Sequence, residues 1–279
     1  MEGTDQAVRG EPVERAPHRA APRAVSRVPL ACALAALVLL VGAVHQMDRP
    51  TLEVVRALRA VAIERVGDAG DLLGKGWTLL ALSGLFVAVG YWRADSTWRA
   101  AGVQGWIAHA VTGILVQGLK HSLGRPRPRL HQEDTFVTGP TLEAGYDSFP
   151  SGHAAISFAV AAVLATHFPR WARPAYALAG FVALTRIFRG AHFVSDVVAG
   201  IGLGLVVGTL VVAPRHQWRI RVQACVVPAV SWLVAGGALL WLLVWPASDL
   251  RTAGLLLGAG VLTGLSHWTA RGARSEAVR

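Results

Sequence analysis

The chain has 279 residues, of which 53% are hydrophobic and 16% charged, and a formal net charge of +10. A soluble domain carries about 25% charged residues, so this deficit, with a mean hydropathy of +0.44, points to the bilayer and away from the aqueous phase. Most of the basic residues lie between apolar runs, where they set membrane topology, and no basic face on a soluble domain is evident; nucleic acid is excluded as a partner.

Residues 1–27 are rich in Arg, Pro, Glu and Ala and read as a disordered cytoplasmic tail. Eight apolar runs approach the length of about twenty residues that a bilayer core requires. They are Val28–Val44, Leu72–Trp92, Ala100–Lys120, Ser151–Phe168, Ala175–Phe188, Phe193–Ala213, Val222–Trp245 and Leu250–Trp268. The expected fold is therefore all-α, a polytopic membrane bundle. Residues 28–213 form a six-helix core, and residues 214–279 supply two further transmembrane helices and a short tail. The seventh run contains Pro228 and Gly236-Gly237, which predict a kink. Between the first two runs, Thr51–Val66 alternates apolar Leu52, Val55, Leu58, Ala62 and Val66 with charged Glu53, Arg56 and Glu64. That pattern predicts one short amphipathic helix, at the interface or as a soluble cap. Cys32 and Cys225 both fall in apolar runs and read as packing residues.

With a cytoplasmic N-terminus, the inside loops carry Arg93 and Arg99, then Arg170 and Arg173, then Arg215, Arg219 and Arg221, in keeping with the positive-inside rule. Trp92, Trp98, Trp171, Trp218 and Trp268 fall at the same edge. One outer loop breaks the rule. Lys120, Arg125, Arg127 and Arg129 follow the third run, and Arg186 and Arg189 end the fifth at the same side. An anionic substrate explains cations placed against the topology signal.

Three segments converge there: Lys120 to Pro128, Phe149-Pro150-Ser151-Gly152-His153, and Thr185 to Asp196. Lys120 supplies a point charge, and Arg127 and Arg186 supply planar forks suited to phosphate oxygens. The prolines of Arg125-Pro126-Arg127-Pro128 hold that stretch extended. Ser151 is the expected N-cap of the fourth helix. Gly152 lets backbone N–H groups of its first turn approach an anion, and His153 projects from the same turn. His192 and Asp196 stand four apart, as if on one face of the sixth helix, so that the carboxylate fixes the ring tautomer and frees the other nitrogen as nucleophile. The set supplies a nucleophile, a second histidine as acid and three cations, and no carboxylate cluster for a metal.

These segments resemble the type 2 phosphatidic acid phosphatase family, which shares its fold with vanadium haloperoxidases. The family pattern is K-x6-R-P, then P-S-G-H, then S-R-x5-H-x3-D, and this chain departs from it at Thr185 in place of serine. The resemblance covers about residues 28–213 and leaves the last two helices outside. It implies that His192 is phosphorylated, that His153 is the leaving-group acid, and that Lys120, Arg127, Arg186 and the Ser151 and Gly152 amides hold the phosphate. It further implies a lipid phosphatase without cofactor or metal, in the plasma or inner membrane, with its site on the periplasmic or extracellular face.

Undecaprenyl pyrophosphate, phosphatidylglycerol phosphate, phosphatidic acid and lipid A phosphate all suit such a site, the polyprenyl pyrophosphate first. The competing readings are a lipid phosphotransferase with the same residues and a non-catalytic lipid binder or transporter. The second would be expected to lose His153 or His192, and both are present. Taken singly, each cation reads as a headgroup contact, Ser151 as a cap and His192–Asp196 as an ordinary helical pair; only their conjunction in this order carries the reading. His109 reads as packed or bonded within the bundle, and His45, His167, His216 and His267 as interfacial. His121 and His131 flank the phosphate loop, and Arg125, Arg129 and Arg189 suit a second phosphate or the headgroup zone. The glycines at 200, 202, 204 and 208 mark close helix packing.

Overall fold

A computed structural model of the protein describes residues 28–57, 61–131, 139–214, 228–229, 231, 233–235 and 255–263. All the regular structure among them is helical. Eight helices follow in chain order: α1 Val28–Gln46, α2 Asp48–Ala57, α3 Val61–Gly74, α4 Gly76–Trp92, α5 Ser96–Leu123, α6 Gly152–His167, α7 Ala172–Phe188 and α8 Val194–Val212. Helices α1 and α4 to α8 correspond to the six apolar runs of the expected core.

The segment between the first two runs differs from expectation. Helical residues lie on both sides of residues 58–60, as α2 and α3, and α3 runs on past Val66 to Gly74, so the second apolar run is interrupted at Lys75 and α4 starts at Gly76. Residues Glu64–Gly74 and Gly76–Trp92 are bent by 51° across that break. The cause is local: Lys75 takes an extended conformation (φ −61°, ψ 139°) and Thr78 Oγ1 donates back to the Leu72 carbonyl at 2.6 Å. Among the described residues, one helix alone, Val194–Val212, is both long and apolar enough to cross a membrane. Helices α4, α6 and α7 have 17, 16 and 17 residues, the lower end of what spans a bilayer core. The two C-terminal helices, His216, His267, Cys225 and the kink at Gly236-Gly237 lie wholly or mostly outside the described residues. Residues 255–263 are helical, and Leu256 and Ala259 are buried with Ala36, Leu40, Ala43 and Val44 of α1.

Helix α6 lies at the centre, against α5, α7 and α8. Its buried residues are mostly alanine, including Ala154, Ala155, Ala159, Ala161 and Ala162. Small residues on both sides let two backbones meet. A Cβ on Gly200, Gly204 or Gly208 of α8 would run into the carbonyl oxygens of Ser151, Ala155 and Ala159 respectively. The four-residue spacing of these glycines puts them on one stripe, the packing expected of them, while Gly202 faces Leu37 of α1. This fixes the start of α8 against the start of α6.

The two ends of the bundle differ in character. At the end where α4 and α6 finish and α5 and α7 begin, Phe86, Trp98, Phe168 and Trp171 form an aromatic cluster, with Phe86 and Trp98 stacked at 5.0 Å. Arg93 lies over Trp98, and Arg170 over Trp171. The opposite end gathers the C-termini of α5 and α7 and the N-termini of α6 and α8. It holds every candidate site residue.

Candidate active site

Each segment is bent into place by its own turn chemistry. Helix α5 stops at Gly124, whose left-handed conformation (φ 60°, ψ 47°) reverses the chain while its N–H donates to the Lys120 carbonyl. Lys120 is thereby left in the last turn, buried. The loop that follows is tied to residues 139–148: Arg127 N–H donates to the Gly145 carbonyl at 2.8 Å, and Ser148 N–H to that of Arg125 at 3.0 Å. Helix α7 ends in the same way, with Gly190 left-handed (φ 61°), and the backbone N–H of His192 then donates to the Arg186 carbonyl at 3.3 Å. One short turn thus brings the candidate nucleophile beside a candidate phosphate ligand.

His192 lies before α8, not on it. Its nearness to Asp196 comes from the helix start, where Asp196 Oδ2 accepts from the Phe193 N–H at 2.9 Å, rather than from a shared helical face. The ring Nδ1 faces Asp196 Oδ2 at 3.6 Å, within ion-pair range and longer than a hydrogen bond. Burial lowers the His192 pKa; the Asp196 carboxylate opposes the shift, and Lys120 and Arg127 add to it. The ring is therefore neutral near neutral pH, with Nε2 the nitrogen turned away from the carboxylate.

Ser151 stands at the N-cap of α6, but its hydroxyl caps nothing. Its N–H donates to the Asp196 carbonyl at 2.9 Å. That corrects one expectation: the Ser151 amide is committed to holding α6 against α8, and the group left to meet an anion is the hydroxyl. Gly152 opens the helix, where first-turn N–H groups have no partner within the helix. Four buried polar atoms of the expected set lack hydrogen-bond partners: Ser151 Oγ, His153 Nε2, Arg186 Nε and His192 Nδ1. Unpaired buried polar atoms are costly, and these four belong to residues gathered at one end of the bundle, as a ligand site requires.

Two carboxylates that sequence reasoning did not single out organise the cations. Asp147 binds Arg127 in bidentate fashion, at 2.7 and 2.6 Å, and meets Lys120 at 3.5 Å. Burial alone would raise the Asp147 pKa, but the bonds from Arg127 and the charge of Lys120 hold it well below the usual carboxylate range. Asp71 of α3 binds Arg186 Nη1 at 2.5 Å and lies 3.4 Å from His153 Nε2. It reaches them because α3 carries Gly67, Gly70 and Gly74, whose missing side chains admit Arg189, just past the end of α7, and Thr185 and Val182 of α7. Thr185, the departure from the family pattern, donates its hydroxyl to the Val182 carbonyl at 2.7 Å and does not face the cations.

Arg125 differs from its expected setting. It is 1% exposed and bridges Asp48 of α2 (2.7 Å) and Asp196 of α8, while also donating to Ser195 Oγ at 2.7 Å. Its guanidinium lies over the Phe193 ring at 4.3 Å. Burial alone would lower its pKa, but the Asp196 and Asp48 charges raise it. His45 belongs to the same network, 3.1 Å from Asp48, and is not merely interfacial. Asp48 completes it by accepting from the Ser195 N–H (3.0 Å) and hydroxyl (2.5 Å). Asp196 is further held by Ser148 Oγ at 2.6 Å. Four other described histidines lie outside this network: His109 packs against Gly76 with Nδ1 unpaired, His167 meets Gln104 at 2.7 Å, His121 meets the Thr141 carbonyl at 3.1 Å and His131 meets Arg56 at 3.1 Å.

Known proteins similar to this chain indicate its family. The PAP2 superfamily pattern matches residues 105–221. The decaprenylphosphoryl-5-phosphoribose phosphatase of Mycobacterium tuberculosis is 30% identical over 177 residues, 60% of this chain and 92% of that one. The chain belongs to the PAP2 superfamily. The lipid A 1-phosphatase of Rhizobium etli is 39% identical over 95 residues, and the match spans 33% of this chain and 41% of that relative. The crystal structure of a transmembrane PAP2 type phosphatidylglycerolphosphate phosphatase from Bacillus subtilis superposes with a TM-score of 0.52 at 25% identity, over 67% of this chain and 94% of that one. This PAP2 protein therefore has the fold of a membrane helix bundle and resides in a membrane.

Proposed function

We propose that this PAP2 protein is an integral membrane phosphatase that hydrolyses a phosphomonoester or diphosphate of a lipid through a phosphohistidine. The observation that carries the reading is the neutral, buried His192 ring, held beside Asp196 and flanked by Lys120, Arg127 and Arg186. His192 Nε2 forms a bond to phosphorus as the bond from phosphorus to the lipid oxygen breaks. That oxygen takes a proton from His153. Lys120, Arg127, Arg186, the Ser151 hydroxyl and the Gly152 N–H stabilise charge on the three remaining phosphoryl oxygens, which is the main task in phosphoryl transfer. Water, deprotonated by His153, then cleaves the phosphorus–nitrogen bond, releasing orthophosphate and restoring both rings.

Helix α5 exposes Val103, Trp106, Ile107, Ile114, Leu115 and Leu119, and α4 exposes Leu80, Leu85 and Tyr91. Such a surface suits lipid tails better than water. The aromatic and arginine cluster at the far end of the bundle supports a multi-pass topology with a cytoplasmic N-terminus and the site on the periplasmic or extracellular face. Residues 28–213 act as the catalytic unit. The test is His192→Ala in purified, detergent-solubilised protein assayed for phosphate release from lipid phosphates. Turnover is expected to vanish while membrane insertion and thermal unfolding stay unchanged; retained activity would refute the assignment.

A further inference from the structure

Beside the cationic cup lies a cavity of about 440 Å³, inside the size range of small-molecule sites. Arg127 and Arg186 form its border with the cup. Its remaining wall carries Arg56, Arg129 and Arg189, which have no place in the scheme above. Five arginines and one carboxylate, Asp71, thus line the cavity, with Asp147 and Asp68 pairing with Arg127 and Arg189 from outside the lining. We propose that this cavity is a second anion subsite, which takes the inner phosphate of a lipid diphosphate while the terminal phosphate occupies the cup. The proposal rests on the phosphatase reading and narrows it to a substrate class.

Three observations carry it. Arg56 comes from α2, whose amphipathic pattern would suit an interfacial helix; the residue is exposed, yet its guanidinium is tied to the loop after α5. Its Nη2 donates to the Pro128 carbonyl at 3.0 Å and meets His131 Nδ1 at 3.1 Å, so it is braced against the same loop that aims Arg127. A headgroup-binding arginine needs no such brace. Second, the cavity lies on the leaving-group side. Asp71 lines it and touches both Arg186 and His153, the proton donor to the departing oxygen. Third, Arg189 is held at the rim by Asp68 at 2.6 Å, through the close approach of α3 to α7 at Gly67. A phosphate here would receive planar, charge-assisted bonds from two or more guanidinium groups.

In that geometry His192 Nε2 bonds to the terminal phosphorus, and the bond to the bridging oxygen breaks. The bridging oxygen takes the His153 proton and stays on the inner phosphate. The lipid leaves as its monophosphate, still in the subsite, and water later frees the terminal phosphate as orthophosphate.

The binding test needs no turnover. The full chain carrying His192→Ala, in neutral detergent, is titrated calorimetrically with inorganic pyrophosphate and separately with orthophosphate. The same titrations are repeated after adding Arg56→Ala and Arg129→Ala. Pyrophosphate is expected to bind about tenfold or more tightly than orthophosphate, as extra charge-assisted bonds imply, and the two added changes should cut that ratio to about twofold or less while leaving orthophosphate binding intact. Should the ratio persist, or should both ligands weaken alike, the subsite is wrong. Arg56→Gln with Arg129→Gln serves as a milder pair, with unfolding followed in parallel. A loss confined to binding of anionic lipid vesicles, with the pyrophosphate ratio unchanged, would assign these arginines to the bilayer and overturn the proposal. Phosphate release from farnesyl diphosphate and farnesyl monophosphate by the chain with His192 intact provides the catalytic arm. Failure on both substrates strikes the phosphatase reading, whereas equal efficiency on both strikes the subsite.

Discussion

Arg125 and Arg127 stand two residues apart in one Arg-Pro-Arg-Pro stretch, and the structure gives them opposite tasks. Arg125→Met would leave Asp48 and Asp196, both fully buried, without their shared cation. Removing one partner of a buried pair costs about 3–5 kcal/mol. The lower end applies here, because Asp196 keeps Ser148 and the Phe193 N–H, and Asp48 keeps both donors of Ser195. At about 2–4 °C per kcal/mol for a chain of this size, a cost of about 3 kcal/mol lowers the melting temperature by about 6–12 °C. Arg127→Met removes a guanidinium whose side chain is 19% exposed and whose partner Asp147 is 32% exposed. Pairs at that exposure are worth about 0–1 kcal/mol, so the melt should barely move. Activity should instead fall about 10²–10³-fold, the usual effect of deleting one donor to transition-state charge. The assay is a thermal melt of each variant in one detergent, alongside phosphate release from a lipid phosphate. Adding Asp48→Asn to Arg125→Met should restore part of the lost stability, since one of the two orphaned charges is then gone. The reasoning fails if Arg125→Met melts with the unchanged protein, or if Arg127→Met is the variant that collapses.

Three further outcomes are expected. Attack requires the deprotonated His192 ring, whose pKa is lowered by burial; the attack is therefore lost as the pH falls through that pKa, while the proton needed on His153 limits activity on the alkaline side. The acid limb of kcat/KM, which reports the free enzyme, should lie below the ordinary histidine value of about 6.5. Gly204→Ala drives a Cβ into the Ala155 carbonyl and should destabilise the α6–α8 contact by about 1–3 kcal/mol or more, whereas Gly180→Ala, with nothing within 4 Å, should be neutral or stabilising in parallel melts. Asp147→Asn frees Lys120 and Arg127 from a competing carboxylate, so the inhibition constant for product orthophosphate should fall about fivefold, equivalent to about 1 kcal/mol; an unchanged or raised constant would mean that Asp147 serves chiefly to aim Arg127.

The six core helices were legible because each is an apolar run punctuated by charge, a signal that survives without tertiary context. The cations, His153, His192 and Asp196 were legible through the order and spacing of three motifs. What escaped reading was the set of single carboxylates. Asp48, Asp71 and Asp147 find Arg125, Arg186 and Arg127 at separations of 77, 115 and 20 residues in sequence, and only the fold reveals these pairings. The bend at Lys75 was hidden because apolar residues continue straight through it. Ser151 stands at the start of α6 as its position predicts, but its amide bonds to the Asp196 carbonyl, and a sequence does not tell whether an amide is spent on a neighbouring helix.

The divergence of the two arginines follows from the prolines between and after them. Each proline fixes its own φ near −65° and holds the residue before it extended, and Arg127 has φ −77° and ψ 152°. Those are polyproline II values, a helix of three residues per turn. Side chains two apart on such a helix point about 120° away from each other, neither aligned as in a flat strand nor opposed. One guanidinium can therefore enter the seam between α2 and α8 while the other reaches the cup. A flexible spacer would let either arginine fall into the buried acidic seam, where two carboxylates attract it. Replacing Pro126 with alanine tests this directly. With φ released, Arg127 gains access to Asp48 and Asp196, and the expected result is reduced phosphate binding with near-normal stability. Unaltered phosphate affinity would show that the bonds from Arg127 to Gly145 and Asp147 hold the register without help from the ring.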